Sequence, residues 1–193
     1  MQQGSLFGAE PPPKRTDRLF FALYPDRETA AQQIAPLATA LRASQRLHGK
    51  ILPTERFHVT LHHLGDFAGL PPSLVQAASA AAEAVRCPPF ELEFDRAASF
   101  DNKRGRNNPF VLQGGDALQP VADFQRALGA ALQTAGLKPD ARFTPHVTLL
   151  YDDRVVPASP VVPPVRWTAH EFVLVHSLIG QGIHMPLGRW PLQ

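Results

Sequence analysis

His58-Val59-Thr60-Leu61 and His146-Val147-Thr148-Leu149 are the same four residues, 88 positions apart (58 to 146). Phe57 precedes the first copy, and Phe143-Thr144-Pro145 leads into the second. On a β-strand, side chains at i and i+2 share a face. His58 and Thr60 are therefore expected to project together, as are His146 and Thr148, with Val59, Leu61, Val147 and Leu149 turned into apolar packing. Two such strands would hold two imidazoles on opposite sides of one small group, with a hydroxyl beside each. That set of groups suits hydrolysis of a phosphodiester. The nucleophile must lose a proton on one side of phosphorus while the leaving oxygen gains one on the other. Imidazole, with an ordinary pKa of about 6.5, performs either task near neutrality and contributes roughly 10²–10⁴-fold in rate. Threonine hydroxyls can donate to the non-bridging oxygens as charge builds on them. A single His-x-Thr usually marks only a packed strand. Two identical copies in matching contexts point to one site built from two halves.

Zinc is the competing chemistry, because His58, His62 and His63 lie close in the chain. His58 and His62 are expected on one strand face. No Asp, Glu or Cys at matching spacing completes a ligand set, however, and the second half supplies only His146. No metal and no cofactor are expected. His62 is a candidate for lining the cleft, whereas His48, His170, His176 and His184 acquire no role.

The elements that must position the tetrads are legible on either side of them. Residues 1–17, with Pro11-Pro12-Pro13 and Lys14-Arg15, read as a flexible tail, and residues 18–193 as the folded domain. Leu19-Phe20-Phe21-Ala22-Leu23 is a strand-length apolar run. Asp26 can cap the helix that follows, which Pro36 kinks or interrupts. The strand at 57–64 carries the first tetrad, and an alanine-rich helix over 73–86 stops at Pro88-Pro89. Phe90 to Phe94 alternates as a half-buried strand, and a polar, basic loop with Lys103, Arg104 and Arg106 leads to a strand at 109–112. Leu118, Val121, Phe124, Leu128 and Leu132 mark an amphipathic helix with Gly136 as its cap. The strand at 145–151 carries the second tetrad. A Pro- and Val-rich connection is expected over 155–165, then strands at 171–178 and 185–190.

A strand, a helix and a tetrad histidine span 39 positions in the first half (19 to 58) and 37 in the second (109 to 146). The same order at similar spacing indicates a duplicated strand–helix–strand unit. An α+β fold of two packed lobes, with the tetrads facing one cleft, is the expected outcome.

Composition agrees with a folded chain: 44% of residues are hydrophobic and 19% charged, which excludes a mainly disordered protein. A net charge of +2 tolerates an anionic ligand without announcing nucleic-acid binding. The single Cys87 excludes an internal disulfide and a Cys-based zinc knuckle, and favours a reducing compartment. No N-terminal apolar segment has signal-peptide or membrane-spanning length. The expectation is a cytoplasmic protein with no membrane association and no obligatory protein partner.

Phe57-His58-Val59-Thr60-Leu61, the downstream Leu64-Gly65, and Pro145-His146-Val147-Thr148-Leu149 resemble the 2H phosphoesterase superfamily. Within it, the likeness is to the RNA 2′,3′-cyclic phosphodiesterase group, also called the 2′-5′ RNA ligase family. It runs from Arg18-Leu19-Phe20-Phe21-Ala22-Leu23 to Arg189-Trp190-Pro191-Leu192. The resemblance implies a bilobal, duplicated α+β fold with two antiparallel sheets and flanking helices around a central cleft. It implies RNA ends or nucleotide cyclic phosphates as ligands, and hydrolysis of a 2′,3′-cyclic phosphate to a 2′-phosphate. By the family's roles His58 is the proton donor to the leaving 3′ oxygen and His146 the acceptor from water, with Thr60 and Thr148 beside them. The near symmetry of the tetrads permits the reverse assignment.

One departure bears on the substrate. Relatives often carry an arginine shortly after the second tetrad, where Tyr151 stands here. A phenol donates one hydrogen bond or stacks on a base but brings no charge. Tyr151, His62 and Arg154 are candidate substrate contacts, and Arg104 and Arg106 are further candidates to supply the missing cation. A smaller cyclic phosphate, a non-catalytic nucleotide or RNA-end binder, and RNA ligation as the reverse reaction are the competing readings.

Overall fold

The computed structural model describes residues 13–102 and 105–193. Strands β1 (Asp17–Leu23), β2 (Val59–Phe67), β7 (Glu171–Leu178) and β8 (Ile183–Pro191) form one antiparallel sheet in the order β2-β1-β7-β8. Strands β3 (Phe90–Ser99), β4 (Asn108–Gln113), β5 (His146–Asp152) and β6 (Ser159–Ala169) form the other, in the order β5-β4-β3-β6. Each sheet thus has a tetrad strand at one edge, paired with the strand that opens its half. Helices α1 (Ala35–Ser44), α2 (Pro72–Glu83) and α3 (Gln119–Thr134) join these strands. The α+β class is the one expected from the repeat, and the two antiparallel sheets with flanking helices are those that the resemblance implies. Leu19, Phe21, Leu23, Val59 and Leu61 of the first sheet share one buried core with Leu92, Phe94, Leu112, Val147 and Leu149 of the second.

The duplication extends to a shared irregularity. Ala22 lies opposite Thr60, but Phe21 lies opposite His62, so Leu61 is an extra residue in β2. Likewise Val111 faces Thr148 and Phe110 faces Leu150, leaving Leu149 extra in β5. Both tetrads therefore end on a β-bulge at the same position. A bulge adds local twist and re-aims the side chains beyond it.

Several expected boundaries shift for physical reasons. Residues 1–12 of the expected tail lie outside the described residues, and its last residue, Asp17, opens β1 instead. The Asp17 carboxylate accepts from the Gly69 amide at 2.9 Å and from His176 Nε2 at 2.6 Å. Asp26 does cap the next segment, accepting from the Thr29 amide and hydroxyl at 2.8 and 2.7 Å. That segment runs as a π-helical stretch over Thr29–Ile34 before α1 begins. The change of hydrogen-bond register falls beside Pro36, which has no N–H to donate. The connection expected over 155–165 is in large part β6, which tolerates its prolines because it is an edge strand. No helix among the described residues is long and apolar enough to cross a membrane.

Candidate active site

The tetrads present the faces expected of them. Val59, Leu61, Val147 and Leu149 are buried, while His58, Thr60, His146 and Thr148 are half-buried. His58 Nδ1 donates to the Arg56 carbonyl at 2.7 Å, and His146 Nδ1 donates to the Thr144 carbonyl at 2.7 Å. Each ring is thus held by the carbonyl two residues upstream. Because a carbonyl only accepts, the proton of each neutral ring sits on Nδ1, and Nε2 carries the lone pair. The Thr60 hydroxyl donates to His58 Nε2 at 3.1 Å. Aromatic rings brace both imidazoles. Phe20 and Tyr24 lie 5.2 and 5.7 Å from His58 between ring centroids, and Phe100 lies edge-on to His146 at 4.9 Å.

Burial is the main reason His58 holds its proton weakly, with a pKa pushed down to about 4. Nearby positive charge on His184, His146 and Arg56 works in the same direction. His58 and His146 are therefore within electrostatic reach of each other. His146 is also lowered by burial, partly offset by its bond to Thr144.

His184 and Tyr24 complete the surroundings of His58, and neither carries a motif that would have revealed it. The His184 ring meets His58 edge-on at 5.2 Å, and the Tyr24 hydroxyl donates to His184 Nδ1 at 3.2 Å. Burial pushes Tyr24 up to about 12 and His184 down to about 4. Tyr24 therefore stays a phenol across the physiological range. A hollow of about 830 Å³ adjoins this corner, its lining including Tyr24, Val173, Val175, His184, Pro186 and Arg189. Neither tetrad histidine lines it, so it flanks the paired imidazoles and does not enclose them. Among the described residues no group of three His, Cys, Asp or Glu side chains converges as a metal would require.

The other candidates separate. Tyr151 is 40% exposed and close enough to Arg18 to interact electrostatically with it. Arg154 is exposed, its amide bonded to the Asp152 carboxylate at 2.9 Å. Arg106 is exposed, and Arg104 lies outside the described residues. His62 is a correction. The extra residue at Leu61 turns it off the His58 face, and it is 1% exposed. Its Nε2 donates to the Gln125 carbonyl of α3 at 2.8 Å, and Nδ1 accepts from the Asp140 amide at 3.1 Å. His62 joins β2 to α3 and does not line the cleft. His62→Ala should therefore lower stability by about 2–4 kcal/mol, through a lost core contact and unpaired buried groups. It should leave kcat/KM of the folded protein within about threefold. Thermal melts paired with rate measurements check this, and a stable variant with collapsed turnover would contradict it.

Comparison with known proteins agrees with this fold. A family model of the 2′-5′ RNA ligase superfamily matches residues 25–179. Among solved structures, E. coli LigT complexed with NADP+ is 26% identical with a TM-score of 0.71, over 93% of this chain and 99% of that one. A phosphoesterase at 24% identity gives a TM-score of 0.72 over the same shares. The TT0787 protein of Thermus thermophilus, at 23% identity, gives 0.67 over 91% of this chain and 97% of that one. The last two, at such identity, speak for the fold alone. No curated protein matches the chain. The family model spans most of the chain and includes both tetrads, so the protein belongs to the 2′-5′ RNA ligase superfamily of 2H phosphoesterases.

Proposed function

We propose that the protein hydrolyses RNA ends carrying a 2′,3′-cyclic phosphate to 2′-phosphate ends, by two-histidine acid–base catalysis that requires no metal. Water attacks phosphorus and gives its proton to His146 Nε2. The bond from phosphorus to the 3′ oxygen breaks, and that oxygen takes a proton from Nε2 of His58, which enters the step as the imidazolium. One water is consumed, and the two imidazoles exchange roles until solvent resets them. Thr60, which donates to His58 in the free protein, turns its hydroxyl to a non-bridging oxygen, and Thr148 does the same from the other side. The observation that carries this reading is the matched pair of imidazoles, each with Nδ1 tied to a carbonyl and Nε2 left to exchange a proton. E. coli LigT, solved with phosphate and with 3′-AMP, supports a nucleotide phosphate as the ligand class. Incubating a cyclic-ended RNA oligomer in excess chelator should yield only 2′-phosphate ends. Unchanged ends, or 3′-phosphate ends, would overturn the reaction. The exposed phenol of Tyr151 favours a smaller cyclic phosphate as the second reading, and a mononucleotide turned over far better than any oligomer would select it.

The pH dependence follows from the two histidines. Burial penalises the charged imidazole, so both free-protein pKa values lie below the usual 6.5. A bell-shaped profile of kcat/KM has its maximum midway between the acid and the base. That maximum should therefore fall below pH 6.5, whichever histidine plays which part. A bound phosphate anion favours the charged form, so the kcat profile should move to higher pH. Initial rates from about pH 4 to 9 test both statements, and a kcat/KM optimum above about pH 7.5 would contradict the first.

A further inference from the structure

Arg56 ends the short 3₁₀ turn Thr54–Arg56, two residues before His58, and its carbonyl is the acceptor that orients the His58 ring. Its side chain is half-buried, yet it makes no hydrogen bond and no ion pair among the described residues, and its Nε is fully buried without a partner. Arg18 and Arg189, by contrast, are occupied. Arg18 makes a two-pronged bond to Asp66 at 2.7 and 2.8 Å, and Arg189 pairs with Glu171. Arg56 instead faces groups that cannot neutralise it: its charge bears on Tyr24, His58 and His184. The turn at Gly182 leaves it room, since a Cβ there would stand 3.3 Å from Arg56 Nη1. A guanidinium partly withdrawn from water beside two imidazoles, its Nε buried and no carboxylate bonded to it, gains from an anion that joins it. A purely structural arginine would be expected to bond the turn or a strand, and this one bonds neither.

We propose that Arg56 grips the phosphoryl group of the substrate, supplying from the first tetrad's side the cation that Tyr151 does not supply after the second. The assignment rests on the cyclic phosphodiesterase reading for its substrate, although the grip itself concerns any phosphate in the cleft. A guanidinium at this position offers charge-assisted donors to a non-bridging oxygen, in ground state and transition state alike. Its loss should therefore act mainly on binding, as an increase in KM.

The test compares the unaltered protein with Arg56→Gln and Arg56→Lys, each first shown to fold by circular dichroism and melting. Inorganic phosphate is titrated while the His58 and His146 imidazole signals are followed by NMR, and turnover of a cyclic-ended RNA oligomer is measured in parallel. Arg56→Gln should weaken phosphate binding by about 10- to 100-fold and raise KM by a similar factor. Arg56→Lys should recover part of both. Removing the cation should also raise the pKa of His58 in the free protein, which shows that the guanidinium acts on that imidazole, while the loss of phosphate affinity is what separates a grip from a merely structural role. Phosphate affinity within twofold of the unaltered protein in a folded Arg56→Gln variant would overturn the proposal. So would failure of the unaltered protein to bind phosphate at millimolar concentration. Should phosphate binding depend on Arg56 while cyclic RNA ends remain intact, the grip stands and the proposed reaction falls.

Discussion

Replacing His58 or His146 with glutamine should lower kcat/KM on a cyclic-ended RNA by roughly 10²–10⁴-fold each, because each imidazole moves one proton in the same displacement. Glutamine is the informative substitute. It retains a donor for the carbonyl of Arg56 or Thr144 and fills most of the space beside Phe20 or Phe100, but it cannot carry a proton. Alanine at position 58 would also open a gap between Phe20, Tyr24 and His184, mixing a packing defect into the rate. The double variant should be little slower than the slower single one, since groups that act as a unit are strongly non-additive. Valine at Thr60 or Thr148 preserves the branched shape and removes the donor, for an expected loss of about 10²-fold. Single-turnover rates in chelator, with circular dichroism to confirm folding, measure all of these. A folded His58→Gln or His146→Gln protein that keeps more than about a tenth of the rate would remove the two-histidine mechanism.

What the sequence disclosed was the part that repeats. Identical tetrads, at similar distances from similar strands, located both edge strands and the correct inward and outward faces through Leu61 and Leu149. The strict two-residue alternation then failed at one point in each half. An inserted residue in a ladder leaves no mark on composition, so strict alternation puts His62 on the wrong face. Tyr24, Arg56 and His184 carry no signal in the sequence, because they reach His58 from the end of β1, a 3₁₀ turn and β8 respectively. Contacts between positions 58 and 184 have no spacing rule to betray them. The prolines at 160, 163 and 164 argued for a connection where β6 forms, since a lone segment does not reveal whether its strand is central or at an edge.

Asp152→Ala should cost about 3 kcal/mol of stability and at least about tenfold in rate, although Asp152 touches neither histidine's site of exchange. Its carboxylate, at the end of β5, accepts from the amides of His48 and Gly49 at 2.6 and 2.8 Å, and from the amide of Arg154. Two residues later the same crossing segment continues onto β5: Leu52 donates to the Leu149 carbonyl at 2.8 Å, and Ile51 bridges Leu150. Residues 48–52 lead from α1 into β2, so this clasp ties the strand carrying His58 to the strand carrying His146. Removing the carboxylate strands three donors at about 1–3 kcal/mol each, toward the lower figure because they are only partly buried. For a chain of this size, about 3 kcal/mol corresponds to a fall in Tm of roughly 10 °C. The rate should fall further than the folded fraction does, since a displacement near 1 Å between acid and base can cost about 10²-fold. Gly49→Ala should produce the same pair of effects by another route: a Cβ there would stand 1.9 Å from the Tyr151 carbonyl oxygen, backbone that cannot turn aside. Melting curves and kcat measured well below Tm check both variants. Were Asp152→Ala to melt within about 2 °C of the unaltered protein, the clasp would be incidental. Were it destabilised yet fully active at low temperature, the two sheets would hold their imidazoles in register without it.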